Sequence, residues 1–462
     1  MVLKIRKDGA WVDIDPNESG IIKAYANGDL SAGDPVVLNS DGTVSKVSGV
    51  WETPMVFSAP TNPYNGSNSQ YKSSGWTNTN PNVIKISVVC IGGGGGGGGP
   101  EDLYAGGGAG LGTAIVNVSL NDVFETQTGA GGTGGYNREV EDASEVNQIG
   151  YDGGDSWVKR TGTTIAMGEG GEGGGESGEI GKGGGYSGDG GGNGGDGGYQ
   201  GYTAVFDCAP GGGGAGGYSG KGGDGGNTPY SGNETGRDGE DAASGSGGGG
   251  GGGANDFGNV GENGAGAGGG GTGDGGKGAD GEGGACGDET NGAGGFGGEG
   301  GSWASGGGDG QDGGLRGTSP YYTGVNQGGH GGLYGGGGGK AEGYTGEEES
   351  VNGGYGGRGV VRITPYTTNL KENNYIGFSE ASYSSHHPAR INIIGSIATN
   401  QSGLTVGQKY YIQTDGTLST TEGDPKVEAG MALNSTTLLI SGGAVLGPAD
   451  HPPFTTQGWD IQ

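Results

Sequence analysis

VIKISVVCIGGGGGGGG, residues Val83 to Gly99, decides how this chain folds. Its first nine residues form the short, continuous apolar run of a buried β-strand. That run passes directly into eight glycines, which open a block reaching to Gly357 and holding most of the 130 glycines in the chain. The glycine block is the architectural problem, and the rest of the sequence is organised around it.

Such a block has two physical readings. One is a solvated linker that never buries enough apolar surface to offset its ordering entropy. The other is a set of extended, polyproline II-type helices packed side by side, with three residues per turn and about 3.1 Å per residue. A helix of that kind has no internal hydrogen bonds, so its N–H and C=O groups must pair with neighbours. Only glycine lets backbones approach from several sides at once. The texture favours packing, because aromatic-bearing inserts such as Tyr199 to Pro210, Asn255 to Val260 and Leu315 to Val325 interrupt the glycines. Collagen is excluded, since glycine keeps no strict third-position phase and proline is sparse.

Working outward, strand candidates bracket and interrupt the block: Val83 to Ile91, Ala114 to Leu120, Val123 to Thr128, a hairpin about Thr161-Gly162 within Ser156 to Met167, and Val360 to Thr364. The stretch from Thr53 to Pro81 is rich in Pro, Asn, Ser and Gly and marks a boundary. Before it, Ala10 to Ile14, Ile21 to Ala26, Pro35 to Leu38 and Thr43 to Val47 read as strands of a small β module with a tight turn at Asp41-Gly42. The module recurs near the other end. Asp29 to Ser45 (DLSAGDPVVLNSDGTVS) aligns without a gap to Gly403 to Ser419 (GLTVGQKYYIQTDGTLS). One small β fold is used twice.

Composition narrows the function. Apolar residues make up 29% of the chain, against roughly 45 to 50% in ordinary globular proteins. A net charge of −30 opposes binding to a phosphate backbone or to anionic lipid. Acidic residues also keep a long glycine surface soluble. Met1 to Gly9 is short and charged, and nowhere do about 18 apolar residues run together, so neither an export signal nor a membrane span is expected. Work outside a cell would then follow lysis or assembly into a particle.

Chemistry is hard to find. Cys90, Cys208 and Cys286 lie far apart with no zinc-type spacing; a Cys208–Cys286 bridge is open to a folded middle, and three separate thiols are expected. His330 stands alone among glycines, His386 and His387 precede Pro388 in a turn, and no nucleophile has a convincing base. GxGxxG patterns occur many times without a βαβ context, and no Gly-Lys pair is followed by Ser or Thr, so nucleotide binding is unsupported. Asp189, Asp196, Asp224, Asp274 and Asp309 lack the fixed repeat of calcium-binding nonapeptides. No enzyme, metal or cofactor is expected.

Five segments in fixed order carry a family likeness: Ile84 to Gly99, GGGAGLGTAIVNVSL (Gly106 to Leu120), TGAGGTGG (Thr128 to Gly135), GGDSWVKRTGTTIAMGEGG (Gly153 to Gly171) and GGYGGRGVVRITPY (Gly353 to Tyr366). Over roughly residues 76 to 366 the chain resembles the glycine-rich domains of bacteriophage tail fibres and adhesins, and more distantly that of anaplastic-lymphoma-kinase-type receptors. Tyr375 to Thr421 and Ala429 to Ile440 resemble small β modules of tailed-phage structural proteins, especially those of marine and cyanobacterial hosts.

The resemblance implies an all-β chain with a jelly-roll-like scaffold that projects loops of packed polyglycine II helices. The expected organisation is an N-terminal β module over 1–52 that attaches to the virion, a linker over 53–81, the glycine-rich domain over 82–366, a C-terminal β module over 367–440 and a tail segment over 441–462. The charged start Lys4 to Lys7 suits docking on an acidic neighbour. The expected function is that of a structural virion protein, a fibre or adhesin-like appendage on the tail, with capsid decoration or a head fibre as the alternative. Its partners would be other virion proteins and a host cell-surface protein or glycan, without nucleic acid or membrane insertion, and homo-oligomerisation fits such a part. Aromatics at the turns are the candidate receptor contacts: Tyr202, Phe206, Tyr230, Phe257, Phe296, Trp303, Tyr321, Tyr322 and Tyr344. They offer large contact area at low entropy cost. The competing role for them is to cap the glycine helices.

Overall fold

The computed structural model describes residues 3–7, 10–14, 20–58, 71–99, 104–140, 143–147, 149–175, 179–200, 209–218, 220–227, 329–332, 334–339 and 351–443. Among these the protein is all-β, built from antiparallel sheets with no helix, as the strand-rich flanks imply. It divides into two units, one comprising Met1–Glu52, Asn82–Ile84 and Tyr366–Gln462, the other Thr53–Pro81 and Lys85–Pro365.

The first unit carries the duplication seen in the sequence, and the duplication extends to whole sheets. One sheet runs in the order Ile21–Tyr25, Pro388–Asn392, Tyr375–Ser379, Pro35–Leu38, Val44–Lys46. The other runs Ile397–Ala398, Thr437–Ile440, Val427–Asn434, Lys409–Ile412, Leu418–Ser419. Equivalent strands occupy equivalent places. The turns match bond for bond: the Asp41 carboxylate accepts from the Thr43 N–H at 2.9 Å and hydroxyl at 2.6 Å, and Asp415 accepts from Thr417 at 2.9 and 2.7 Å. Gly42 and Gly416 take the positive φ that this turn demands, +85° and +87°.

A bulge is also duplicated. Register slips at Gly377 against Pro35–Leu38 and at Gly430 against Lys409–Ile412. Both glycines have positive φ, +149° and +157°, and a Cβ on either would clash with a carbonyl oxygen of the neighbouring strand, Asn392 or Leu439. The first copy is split. Its first three strands precede residue 47 and its last two follow residue 374, so the second unit is inserted within it.

The two sheets share one core. Val37, Tyr375 and Phe378 from one face of the first sheet pack with Tyr410, Ile412, Ala429, Ala432 and Leu438 of the second. The opposite face of the first sheet has its own cluster, including Ile22, Val36, Ile376 and Ile391. Short strand Gly49–Trp51 adds to the residues Tyr366 to Thr368, where the Trp51 and Tyr366 rings meet edge to face at 5.0 Å.

The second unit is sandwich-like. In one sheet Leu111–Asn117 lies between Gly190–Gly192 and the Val83–Ile91 strand, with Val360–Thr368 beyond and Met55–Ser58 paired on Val360 to Ile363. The other has the order Tyr186–Ser187, Thr163–Gly168, Ser156–Arg160, Val123–Thr128, Tyr71–Thr77. Ile86, Val88, Phe124, Val158 and Ala166 are fully buried, and Gly112 lets the sheets meet closely, because a Cβ there would strike the Met167 carbonyl.

From the ends of these strands the glycine segments run together as a lattice. Gly92 to Gly99 are all buried, and every third residue addresses the same neighbour. The N–H groups of Gly92, Gly95 and Gly98 donate to the carbonyls of Gly110, Gly107 and Tyr104 at 3.1, 2.9 and 3.0 Å. Those of Gly93 and Gly96 donate to Gly154 and Tyr151 at 2.9 Å, and those of Gly94 and Gly97 to Gly357 and Gly354 at 2.8 and 2.9 Å. In return, Gly94 and Gly97 accept from Gly132 and Gly135, Gly93 and Gly96 from Gly171 and Gly174, and Gly95 from Gly338. Six segments therefore surround one: three antiparallel segments accept its N–H groups, and three parallel segments donate to its carbonyls. A Cβ at Gly94 or Gly96 would lie well under 3.0 Å from the backbone of Gly336 or Thr133, so no larger residue fits.

Candidate functional site

The lattice has two ends, and they differ in kind. One end continues into the sheets through Ile91, Leu111, Thr128, Ser156 and Val360. At the other end, hydrogen bonds link the residues where segments turn back. Gly98 donates to Tyr104, which forms a β-bridge with Tyr199; Gly198 donates to Gly211, which donates to Gly226. On another side, Gly135 donates to Gly97, Gly353 to Gly135, and Gly339 to Gly329.

All nine candidate contact aromatics lie outside the described residues. Their described flanks are informative. Tyr202 and Phe206 fall between Gln200 and Ala209, the six from Tyr230 to Tyr322 between Asn227 and Gly329, and Tyr344 between Gly339 and Val351. Every one of those flanks belongs to the end remote from the sheets, or is one or two residues from a member of its hydrogen-bonded ladder. The described residues that flank all three intervening stretches thus lie at this same end of the lattice. Tyr199, 42% exposed, lies just before the first of these stretches.

The rim of the lattice explains part of the acidity. Among the described residues, some glycine N–H groups at the edge of the lattice donate to carboxylates rather than to the carbonyl of a neighbouring segment. Asp155 and Asp152 accept from the N–H groups of Gly170 and Gly173 at 3.0 and 2.7 Å. Glu169 and Glu172 each grip one residue twice: their N–H groups donate to the carbonyls of Gly185 and Lys182, and their carboxylates accept from the same residues' N–H groups at 3.1 and 3.3 Å. Asp196 accepts from Gly183 at 2.9 Å, and Asp224 from the Asp196 N–H at 2.6 Å. The three-residue spacings Asp152/Asp155 and Glu169/Glu172 match the lattice period. That signal was present in the sequence, but it has meaning only once the period of the neighbouring backbone is known.

Asp189 accepts from the Ile115 N–H at 2.9 Å at the sheet end, and Asp274 and Asp309 lie outside the described residues. His330 uses Nδ1 to accept the Tyr355 N–H at 3.0 Å, and the two rings stack at 4.9 Å. Burial holds its pKa below the usual imidazole value. Cys90 is buried within the sandwich, where desolvation pushes its thiol far up and keeps it protonated; Cys208 and Cys286 lie outside the described residues. His386 sits in a left-handed turn, φ +64°, 2.9 Å from the Ser385 hydroxyl, while His387 Nδ1 lies 3.1 Å from the Ser385 carbonyl. Ser385 also takes the Gly28 N–H on its hydroxyl and gives its own N–H to Asp29. These contacts tie a loop together.

No protein-family model matches the chain, and no curated protein matches it.

Proposed function

We propose that this chain is a structural component of a tailed-bacteriophage virion, a fibre or adhesin-like tail appendage that takes part in recognising the host surface. The observation that supports the reading is that the described residues flanking all nine candidate aromatics lie at the lattice end remote from the sheets. The three-residue hydrogen-bond period supports assigning the glycine block to polyglycine II-type packing on a jelly-roll-like scaffold, the arrangement implied by the phage resemblance. Glycine-only backbone packing gives a stiff platform with almost no side chains of its own. Recognition then falls to the aromatics carried by its turns, which meet a host protein or glycan, while the other virion proteins hold the chain on the particle. No catalytic step is assigned to it.

The test is competition. Recombinant protein added to host cells before infection should slow phage adsorption. A variant with residues 228–328 replaced by a short Gly-Ser linker should lose that effect while keeping its β circular dichroism. Full-length protein that neither binds host cells nor slows adsorption would sink the proposal. Immunogold label on the capsid rather than the tail would favour a decoration role instead.

A further inference from the structure

The duplicated sheets of the first unit expose a face whose twin is already buried. Through the matched bulges and strands, Met431 is the counterpart of Phe378, Tyr411 of Val37 and Glu428 of Tyr375. Val37, Tyr375 and Phe378 are each 0% exposed, closed over by the inner face of the second sheet. On the second sheet the equivalent, outer face is open except at Tyr411, which is 9% exposed and donates its hydroxyl to Glu422. Ile397, Leu439 and Met431 stand in register across three strands, exposed by 47%, 38% and 44%, and Leu433, two residues beyond Met431, is 45% exposed.

We propose that a second copy of this chain covers this face, with the two outer faces packed against each other about a twofold axis. Two arguments select that occupant. A head-to-tail stack, repeating the contact inside the chain, would need the opposite face of the first sheet, where Ile22, Val36, Ile376 and Ile391 are already buried. The exposed face can instead meet its own copy, which is what an isologous interface requires.

Charge is the second argument. The chain carries a net charge of −30, yet this face is electrically balanced. Lys409 is paired in register with Met431 and bonds Glu428 at 3.0 Å, and Lys426 bonds Glu422. Two copies can therefore approach here without bringing like charges together. The remainder of each chain repels the other, so salt should strengthen the dimer by screening that repulsion.

Sedimentation velocity on the full chain, from about 1 to about 100 μM and at about 0.05 and about 0.5 M NaCl, reads this directly. The wild type should form a dimer, tighter at high salt. Met431→Glu and Leu439→Lys, both at exposed positions, should each weaken it at least tenfold with unchanged circular dichroism; Ile115→Glu, exposed on the other unit, should leave it intact. Lys409→Glu, which unbalances the charge without touching the apolar row, should weaken it less at high salt than at low. A wild-type monomer throughout the range, or a dimer indifferent to Met431→Glu and Lys409→Glu, would overturn the proposal.

Discussion

Phe378 and Met431 occupy the same position in two copies of one sheet, yet Phe378 is 0% exposed and Met431 is 44% exposed. The difference lies in what covers them, not in the strands that carry them. Truncation to Ala should separate the two. Phe378→Ala removes a ring packed edge to face on Tyr375 at 5.9 Å and should cost about 3–5 kcal/mol. Met431→Ala at a concentration that keeps the chain monomeric should stay within about 0.5 kcal/mol of wild type. Urea unfolding of both variants checks this, and equal losses would mean that the faces are not inequivalent.

Tyr375 makes a prediction of the opposite sign. Its hydroxyl is buried with no hydrogen-bond partner among the described residues, and desolvation holds its pKa well above the ordinary phenol value. A buried hydroxyl without a partner costs free energy that its ring does not need. Tyr375→Phe should therefore be neutral or stabilising by about 1 kcal/mol. A clear loss of stability in the same urea experiment would reveal a partner for the hydroxyl.

Glycines in the lattice are not interchangeable with other small residues. A Cβ at Gly94 points at the Gly336 carbonyl, and one at Gly96 at the Thr133 carbonyl; backbone on both sides leaves nothing to swing away. Gly96→Ala should cost about 3 kcal/mol or more. At Gly190 the one atom near a new Cβ is the Thr113 hydroxyl at 3.3 Å, so Gly190→Ala should cost far less. Thermal unfolding that ranked the two equally would contradict the packing described.

How much of this was legible in the sequence depends on whether side chains carry the contact. The strands Val83–Ile91, Val123–Thr128 and the hairpin turning at Thr161-Gly162 follow from local apolar patterning and turn residues, and so does the all-β class. The repeat of Asp29 to Ser45 in Gly403 to Ser419 was readable residue by residue. The pairing of Tyr375–Ser379 with Pro35–Leu38 was not, because nothing in either strand names a partner so distant in sequence. Within the lattice the difficulty is more basic. Gly93 and Gly94 are chemically identical, yet they donate to different segments, Gly154 and Gly357, and only the three-residue rotation of the backbone distinguishes them. The candidate aromatics stand out in the sequence as large residues among glycines, and the structure adds that the described residues flanking them share one end of the lattice.

The carboxylates at the lattice rim act as acceptors first and as charges second. Asp155→Ala leaves the Gly170 N–H without its 3.0 Å acceptor at a part-buried site, which should cost about 1–3 kcal/mol. Asp155→Asn keeps an oxygen in place and should recover most of the loss despite removing the charge. Amide hydrogen exchange at Gly170 reports the bond itself: protection should fall in the alanine variant and persist in the asparagine one. If both variants lost protection equally, the negative charge rather than the acceptor would be what matters.

His330 gives the lattice a dependence on pH whose sign is fixed by its hydrogen bond. Nδ1 accepts the Tyr355 N–H and must be unprotonated to do so, and burial lowers the folded-state pKa below the ordinary imidazole value of 6.5. The unfolded chain therefore binds a proton that the folded chain refuses. This contribution to stability is complete above about pH 6.5 and is lost as the pH falls through the lower folded-state value. Melting temperatures measured from about pH 8 down to about pH 5 should fall for the wild type. His330→Asn offers an acceptor that does not titrate, so its curve should be flatter over the same interval. Parallel curves for the two proteins would show that other groups set the pH response and that the His330–Tyr355 bond tolerates protonation.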